Sequence, residues 1–204
     1  CVSCLVGSEM CIRDRLLFCV RSLLIMRRLY NERKASAALI GEGASEDAAA
    51  MVSLEIFHRF LDLEIRRADR YGFPLTVLSI SIDPLPAEIP DAWKTTLEKQ
   101  LGEALSSAVR SCVRDIDLSS SLSMREVLVL MPLTDAQGAR TAAERIRATI
   151  ASQPYHFGRA RLQPTVSIGL GIMHGDRIPS AQLLSSAQSR RMQASHAGGN
   201  RILS

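Results

Sequence analysis

From Leu54 to Tyr71 the apolar residues Leu54, Phe57, Leu61, Ile65 and Ala68 recur at three- and four-residue intervals, with Arg66, Arg67 and Arg70 mostly off that line. This is the spacing of one buried helical face. Gly72-Phe73-Pro74 stops the helix, and Leu75 to Ile82 alternates apolar with small polar residues, as a strand does. Pro84 and Pro86 end that strand. Asp91 is placed to cap a long helix whose inward face is Trp93, Leu97, Leu101, Leu105, Val109 and Cys112, running to about Arg114. Ile116 to Ser120 and Glu126 to Met131 read as two short strands of a hairpin around Ser121-Leu-Ser-Met124, closed by Pro132. Ala139, Ala143, Ile146 and Ile150 mark another helix, and Val166, Ile168, Leu170 and Ile172 another strand. Leu183, Leu184 and Ala187 start a last helix, and Arg201-Ile-Leu a terminal strand. The order helix, strand, helix, hairpin, helix, strand, helix, strand puts the chain in the α+β class, one sheet with helices packed on it.

Composition narrows this picture. With 204 residues, 47% of them hydrophobic, the chain holds one sizeable domain plus a leader. A net charge of +4 and 4% aromatic residues provide no basic, aromatic-interleaved surface, so nucleic acid is not expected as a partner. Cys1, Cys4, Cys11 and Cys19 crowd the start and leave only Cys112 for the rest, which needs no disulfide and suits a reducing cytosol.

The beginning of the chain reads differently from the rest. CVSCLVGSEMCIRDR, residues 1–15, resembles translated adapter sequence and has no periodicity that would seat it in a fold, so it is read as a sequencing or gene-model artefact. Cys1-x-x-Cys4 lacks the second pair or histidine that a zinc or redox site needs. The apolar run Leu16–Met26 is broken by Arg21 and falls short of the roughly 20 residues that span a bilayer. Residues 16–52 are therefore expected to be a leader helix and a small, polar linker, and residues 53–204 the folded domain. The expected location is the cytosol, with tethering to the inner membrane through a missing N-terminal region as the alternative.

Four stretches carry more than periodicity. Glu64-Ile-Arg-Arg-Ala-Asp-Arg-Tyr-Gly-Phe-Pro-Leu75, Ala143-Glu-Arg-Ile-Arg147, Thr165-Val-Ser-Ile-Gly169 and Gly199-Asn-Arg-Ile202 stand in the order and spacing of GGDEF-domain landmarks. The chain from about Ser53 to the end resembles that family. The resemblance implies a nucleotidyl-cyclase-like palm, a five-stranded sheet flanked by helices, and chemistry or sensing built around cyclic di-GMP.

An active member condenses two GTP molecules with help from magnesium, which takes carboxylate oxygens. The resemblance places the first metal aspartate at Ser81, with Asp83 as the second residue of that Asp-x-Asp, and the signature itself on Ser123, Met124, Arg125, Glu126 and Val127. Arg125 then stands where an acid belongs, and Ser123 and Met124 replace the two glycines. The family's phosphate-binding positions fall on Pro86, Ser195 and Gly199. Glu126 alone matches, and as an isolated hairpin glutamate it reads as a solvated charge. By this reading Glu126 alone does not make a working site, and no catalytic residue, metal or cofactor is expected: Ser81, Asp83, Ser123, Met124, Arg125 and Glu126 form a degenerate active site.

The family's product site reads the other way. Arg114-Asp-Ile-Asp117 lies in the register of its inhibitory Arg-x-x-Asp, and Arg145 matches a second arginine contributed by the Ala-Glu-Arg-Ile-Arg helix. Arginine forks grip a guanine edge or a phosphate, and a carboxylate accepts from guanine N–H groups. The turn between helix and strand is expected to aim Arg114 and Asp117 outward. The implied function is a catalytically inactive GGDEF-like receptor for cyclic di-GMP in bacterial signalling, bound by Arg114, Asp117 and Arg145. A ligand-free scaffold that forms a homodimer or docks a partner protein, and a residual diguanylate cyclase, stand as alternatives. Plainer readings apply elsewhere: Arg114 and Asp117 also suit a helix-end ion pair, and His58, His156, His174 and His196 have no metal-ligand spacing. Gly169-x-Gly171 sits inside a strand and opens no helix, and Cys112 belongs to an apolar helix face.

Overall fold

Between Pro74 and Pro84 the chain has only apolar and small polar residues, and these form a central strand, β1 (Leu75–Ile82), buried along its whole length. Such a strand must have both edges paired, because no water reaches its backbone. It lies antiparallel to β3 (Glu126–Pro132) on one side and to β6 (Val166–Met173) on the other. Outside β3 runs β2 (Leu118–Ser123), and β7 (Ile202–Leu203) lies parallel to β6, so the mixed sheet has the order β2-β3-β1-β6-β7. The computed structural model describes residues 51–204 apart from 87, 88, 158, 159 and 176. The expectations for the leader and linker before residue 51, including Cys1-x-x-Cys4 and Leu16–Met26, lie outside the described residues.

Helices α1 (Leu54–Tyr71), α2 (Asp91–Cys112), α3 (Ala136–Ala151) and α4 (Ser180–His196) cover the sheet, making the α+β palm with a five-stranded sheet. One face carries Leu78, Ile80, Val127, Val129, Ile168 and Leu170, packed with Leu97, Leu101 and Leu105 of α2 and Ala143, Ile146 and Ile150 of α3. Helices α1 and α4 lie on the other face, where Phe57, Leu61, Ile65, Leu183 and Ala187 are buried. Period-two alternation turns Gly169 and Gly171 toward α4. A Cβ on Gly169 would collide with the Ala187 carbonyl and the Arg191 amide, and one on Gly171 with the Leu183 carbonyl. The two glycines thus let a helix backbone rest directly on a strand.

The first helix ends as its sequence directs. Ser53 caps it by accepting from the Ile56 amide at 3.4 Å, and Gly72 stops it in the left-handed conformation at φ 67°. Just before the cap, the Val52 amide donates to the Ser119 carbonyl at 3.0 Å and the Ser120 hydroxyl to the Val52 carbonyl at 3.0 Å. The chain therefore enters the domain along the outer edge of β2.

Several sequence expectations are corrected. Trp93 is 49% exposed: the buried line of α2 begins at Leu97, and Ile89, from the approach to the helix, takes a core position instead. The cap of α2 is Pro90 and makes no side-chain bond, because the helix starts one residue earlier than a capping Asp91 requires. The same helix ends at Cys112, since Val113 is already extended at φ −98° and ψ 164°. Strand β2 runs to Ser123 and leaves only Met124 and Arg125 in the hairpin turn, a bulge between Ser121 and Ser123 absorbing the offset. A separate small hairpin, β4 (Tyr155–Phe157) with β5 (Ala160–Leu162), was not foreseen.

Candidate functional site

Two polar regions flank β2 and β3. The first lies where β1 runs out beneath the hairpin turn. Arg125, in that turn, reaches back over the end of β1, where its Nη2 donates to the carbonyls of Ile82 at 3.1 Å and Asp83 at 3.0 Å. Its Nη1 faces Glu98 of α2 at 3.4 Å. The Arg125 carbonyl in turn accepts from the Ile82 amide at 3.0 Å, so backbone and side chain together tie the turn to β1. On the helix side, the Met124 carbonyl lies so close to Gly102 that a Cβ there would collide with it. The Met124 side chain remains 52% exposed.

The neighbouring oxygens are also engaged. Ser81 is buried, and its hydroxyl donates to the Ile82 carbonyl at 3.2 Å. Asp83 turns its carboxylate into the protein: it accepts from the Thr165 hydroxyl at 2.7 Å, the Ser167 hydroxyl at 2.5 Å and the Asn200 amide at 2.8 Å. Glu126 is not a solvated charge, a correction to the sequence reading. It is partly buried, 3.3 Å from Arg191 of α4, because its strand position faces that helix across β1. Ser123 accepts the Arg125 amide at 3.2 Å and closes the turn. Among the described residues no group of three or more His, Cys, Asp or Glu side chains converges as a metal site would require.

The second region is the turn from α2 into β2. The Asp117 amide donates to the Arg114 carbonyl at 2.9 Å, and Asp117 Oδ2 accepts from the Arg114 amide at 2.8 Å. Arg114 is exposed, as expected. Asp117 departs from expectation: its carboxylate folds back on the turn, half-buried, with Oδ1 buried and unbonded. The cause is local, since Val113 has turned extended and carries the Arg114 amide off the helix ladder, where a carboxylate three residues on can accept it. Burial pushes the Asp117 carboxyl above its ordinary range, opposed by that amide bond and by the Arg114 charge.

Arg145 is exposed on α3. Cys112 Sγ lies 3.7 Å from Thr149 Oγ1, so the end of α2 packs beside the last turns of α3. Arg145 precedes Thr149 by one helical turn, about 6 Å along the axis. Arg114 and Arg145 thus emerge from adjacent elements. Neither guanidinium is held by a hydrogen bond or ion pair among the described residues.

The landmark stretches turn out to meet each other. Arg147 pairs with Glu144 and also donates to Asn200 Oδ1 at 2.6 Å, while the Asn200 amide is held by Asp83. That bond to Arg147 holds the Glu144 carboxyl below its ordinary range. The turn itself is left-handed at Gly198, Gly199 and Asn200, and a Cβ on Gly199 would press on the Asp83 carboxylate. Sequence reading missed this knot, which joins β1, α3, β6 and the chain end, because its members are far apart along the chain.

Comparison with known proteins agrees with this architecture. The family model described as "Diguanylate cyclase, GGDEF domain" matches residues 51–201. Response regulator PleD of Caulobacter vibrioides is 31% identical over 145 residues, 70% of this chain and 32% of PleD. Diguanylate cyclase DgcP of Pseudomonas aeruginosa is 28% identical over 142 residues, 70% of this chain and 21% of DgcP. The chain therefore spans a third or less of these relatives. Among solved structures, the GGDEF domain of DgcB from Caulobacter crescentus, in complex with c-di-GMP, superposes with a TM-score of 0.68 at 17% identity, over 75% of this chain and 90% of that one. The FimX GGDEF domain from Pseudomonas aeruginosa gives 0.65 at 14% identity, over 80% of this chain and 100% of that one. With a family match that takes in both polar regions and the knot between the landmarks, this chain belongs to the GGDEF family.

Proposed function

We propose that this domain serves bacterial cyclic di-GMP signalling as a receptor without cyclase activity, with Arg114, Asp117 and Arg145 as its ligand-binding residues. Family membership supports the broader part of this reading, and relatives of up to 31% identity are bacterial proteins, some of them named as diguanylate cyclases. The observation that carries the narrower part is the pair of exposed, uncommitted guanidiniums on adjacent elements, beside a carboxylate with an unbonded oxygen. Two arginine forks and one acceptor suit an anionic guanine dinucleotide. The absence of cyclase chemistry is inferred from the first region, where a guanidinium and bonded partners occupy the oxygens that magnesium would use.

Calorimetry with cyclic di-GMP tests the receptor reading. The expected result is binding at or below tens of micromolar, weakened in Arg114→Ala by about 1–3 kcal/mol, roughly 5- to 150-fold. No binding, or binding indifferent to Arg114→Ala, overturns it and leaves the scaffold reading, which light scattering would then examine as a defined oligomer. Residual cyclase activity is the reading that the relatives' names favour. Incubation with GTP and magnesium decides it: cyclic di-GMP above the no-enzyme control refutes the non-catalytic part of the proposal.

A further inference from the structure

The end of β1 concentrates acceptors. The carbonyls of Ile82 and Asp83 converge where the strand ends, the first of them also accepting from the Ser81 hydroxyl, and the Glu98 carboxylate approaches from α2. Oxygen acceptors gathered in this way require a cation or strong donors. In the GGDEF family that requirement is met by magnesium, and the residues here do not fit that ion. Ser81 has no carboxylate, Asp83 is spent on Thr165, Ser167 and Asn200, and Glu126 is neutralised by Arg191.

We propose that the Arg125 guanidinium is a resident cation, fixed to the chain, that takes the place of a divalent metal and latches the hairpin turn onto β1 and α2. A planar fork suits this place: one nitrogen spans two carbonyls while the other faces a carboxylate. The seat of the turn is shaped to receive it. Gly102 lies one helical turn beyond Glu98, and lacking a side chain it lets the Met124 carbonyl come down onto the helix. Latch and seat are thus presented by consecutive turns of one helix. A divalent ion entering the cluster meets a positive charge already bonded to its oxygens and must expel it. Closure of the hairpin on α2 is in this way independent of metal. This inference stands whether or not Arg114, Asp117 and Arg145 take a ligand.

Amide hydrogen exchange on the full chain, read on peptides covering residues 118–132, tests it in wild type, Arg125→Ala and Arg125→Lys, each with and without millimolar magnesium chloride. In wild type the hairpin should exchange at the same rate with and without magnesium. Arg125→Ala should speed hairpin exchange by about tenfold or more, the loss expected for one hydrogen bond to a charged group. Peptides from β6 and α4 should stay protected and report an intact fold. Arg125→Lys should fall between, because an ammonium cannot reproduce the fork. Magnesium-dependent protection of the wild-type hairpin overturns the proposal, as does an Arg125→Ala hairpin that exchanges at the wild-type rate. If Arg125→Ala does not fold, the lysine variant and the wild-type magnesium comparison decide. Cyclic di-GMP calorimetry on Arg125→Lys separates this result from the receptor reading, since Arg114 and Asp117 lie in another turn.

Discussion

Replacing Asp83 by alanine should cost the domain more than any other single side-chain truncation at the strand end. The carboxylate is buried and accepts three bonds, at 2.7 Å from Thr165, 2.5 Å from Ser167 and 2.8 Å from Asn200. A bond to a charged group is worth about 1.5–3 kcal/mol net, which bounds the gross loss at roughly 4.5–9 kcal/mol. The two hydroxyls can rotate toward water admitted to the gap, whereas the Asn200 amide is fixed by its left-handed backbone and cannot. The discounted loss is about 3–5 kcal/mol. For a domain of this size that lowers Tm by roughly 6–20 °C. Asp83→Asn keeps the volume and one acceptor oxygen and should cost about half as much. Urea unfolding with linear extrapolation gives both values. A loss under about 1 kcal/mol for Asp83→Ala, at unchanged m, would mean that the carboxylate is solvated and that the knot contributes nothing.

Three further outcomes are expected. Gly169→Ala forces a methyl group into the backbone of α4 and should destabilise by about 3 kcal/mol or more, seen as a lowered urea midpoint. An unchanged midpoint would mean that α4 stands off the sheet. Burial pushes the Glu64 carboxyl above its ordinary 4.5 against the pull of Arg67, so the folded chain binds that proton more tightly than the unfolded one. The Glu64 contribution is therefore greatest below the ordinary value and is lost as pH rises through the folded value. The stability of wild type minus that of Glu64→Gln should decline with rising pH, and a flat or rising difference contradicts it. Asp117→Asn removes a half-buried charge whose carboxyl is likewise raised, so it should leave thermal stability near wild type at neutral pH while weakening cyclic di-GMP binding. Loss of folding together with binding would mark Asp117 as structural.

Local pattern carried some of this and failed at definable places. The apolar positions Phe57, Leu61, Ile65 and Ala68 are the buried face of α1, and β1 has the predicted limits because proline flanks both ends. Trp93 failed because helical periodicity assigns a face but not how far that face is covered. At the hairpin, the run Ser119-Ser-Ser121 gave no sign of where the strand stops, and the register is offset by a bulge where the Ser121 hydroxyl donates to the Ser123 carbonyl and Ser123 Oγ accepts from the Arg125 amide. The fold family was legible through landmark residues whose purpose was not. Asp83, Arg147 and Asn200 serve one another, at sequence separations of 117 and 53 residues, which no window of the chain displays. Arg125 was legible as a residue alien to a metal site; that it makes bonds of its own there needed coordinates.

The glycines at 169 and 171 bear on how this domain can move. Because the backbones of α4 and β6 touch without side chains between them, the two cannot slide past each other, and they behave mechanically as one plate. Any shape change the domain undergoes is thereby displaced to the opposite layer, where α2 and α3 meet through side chains that can exchange rotamers while Gly102 and Arg125 keep the hairpin on α2. The seam between α2 and α3 is then the more yielding side of the domain, and the turn bearing Arg114 and the helix bearing Arg145 both border it.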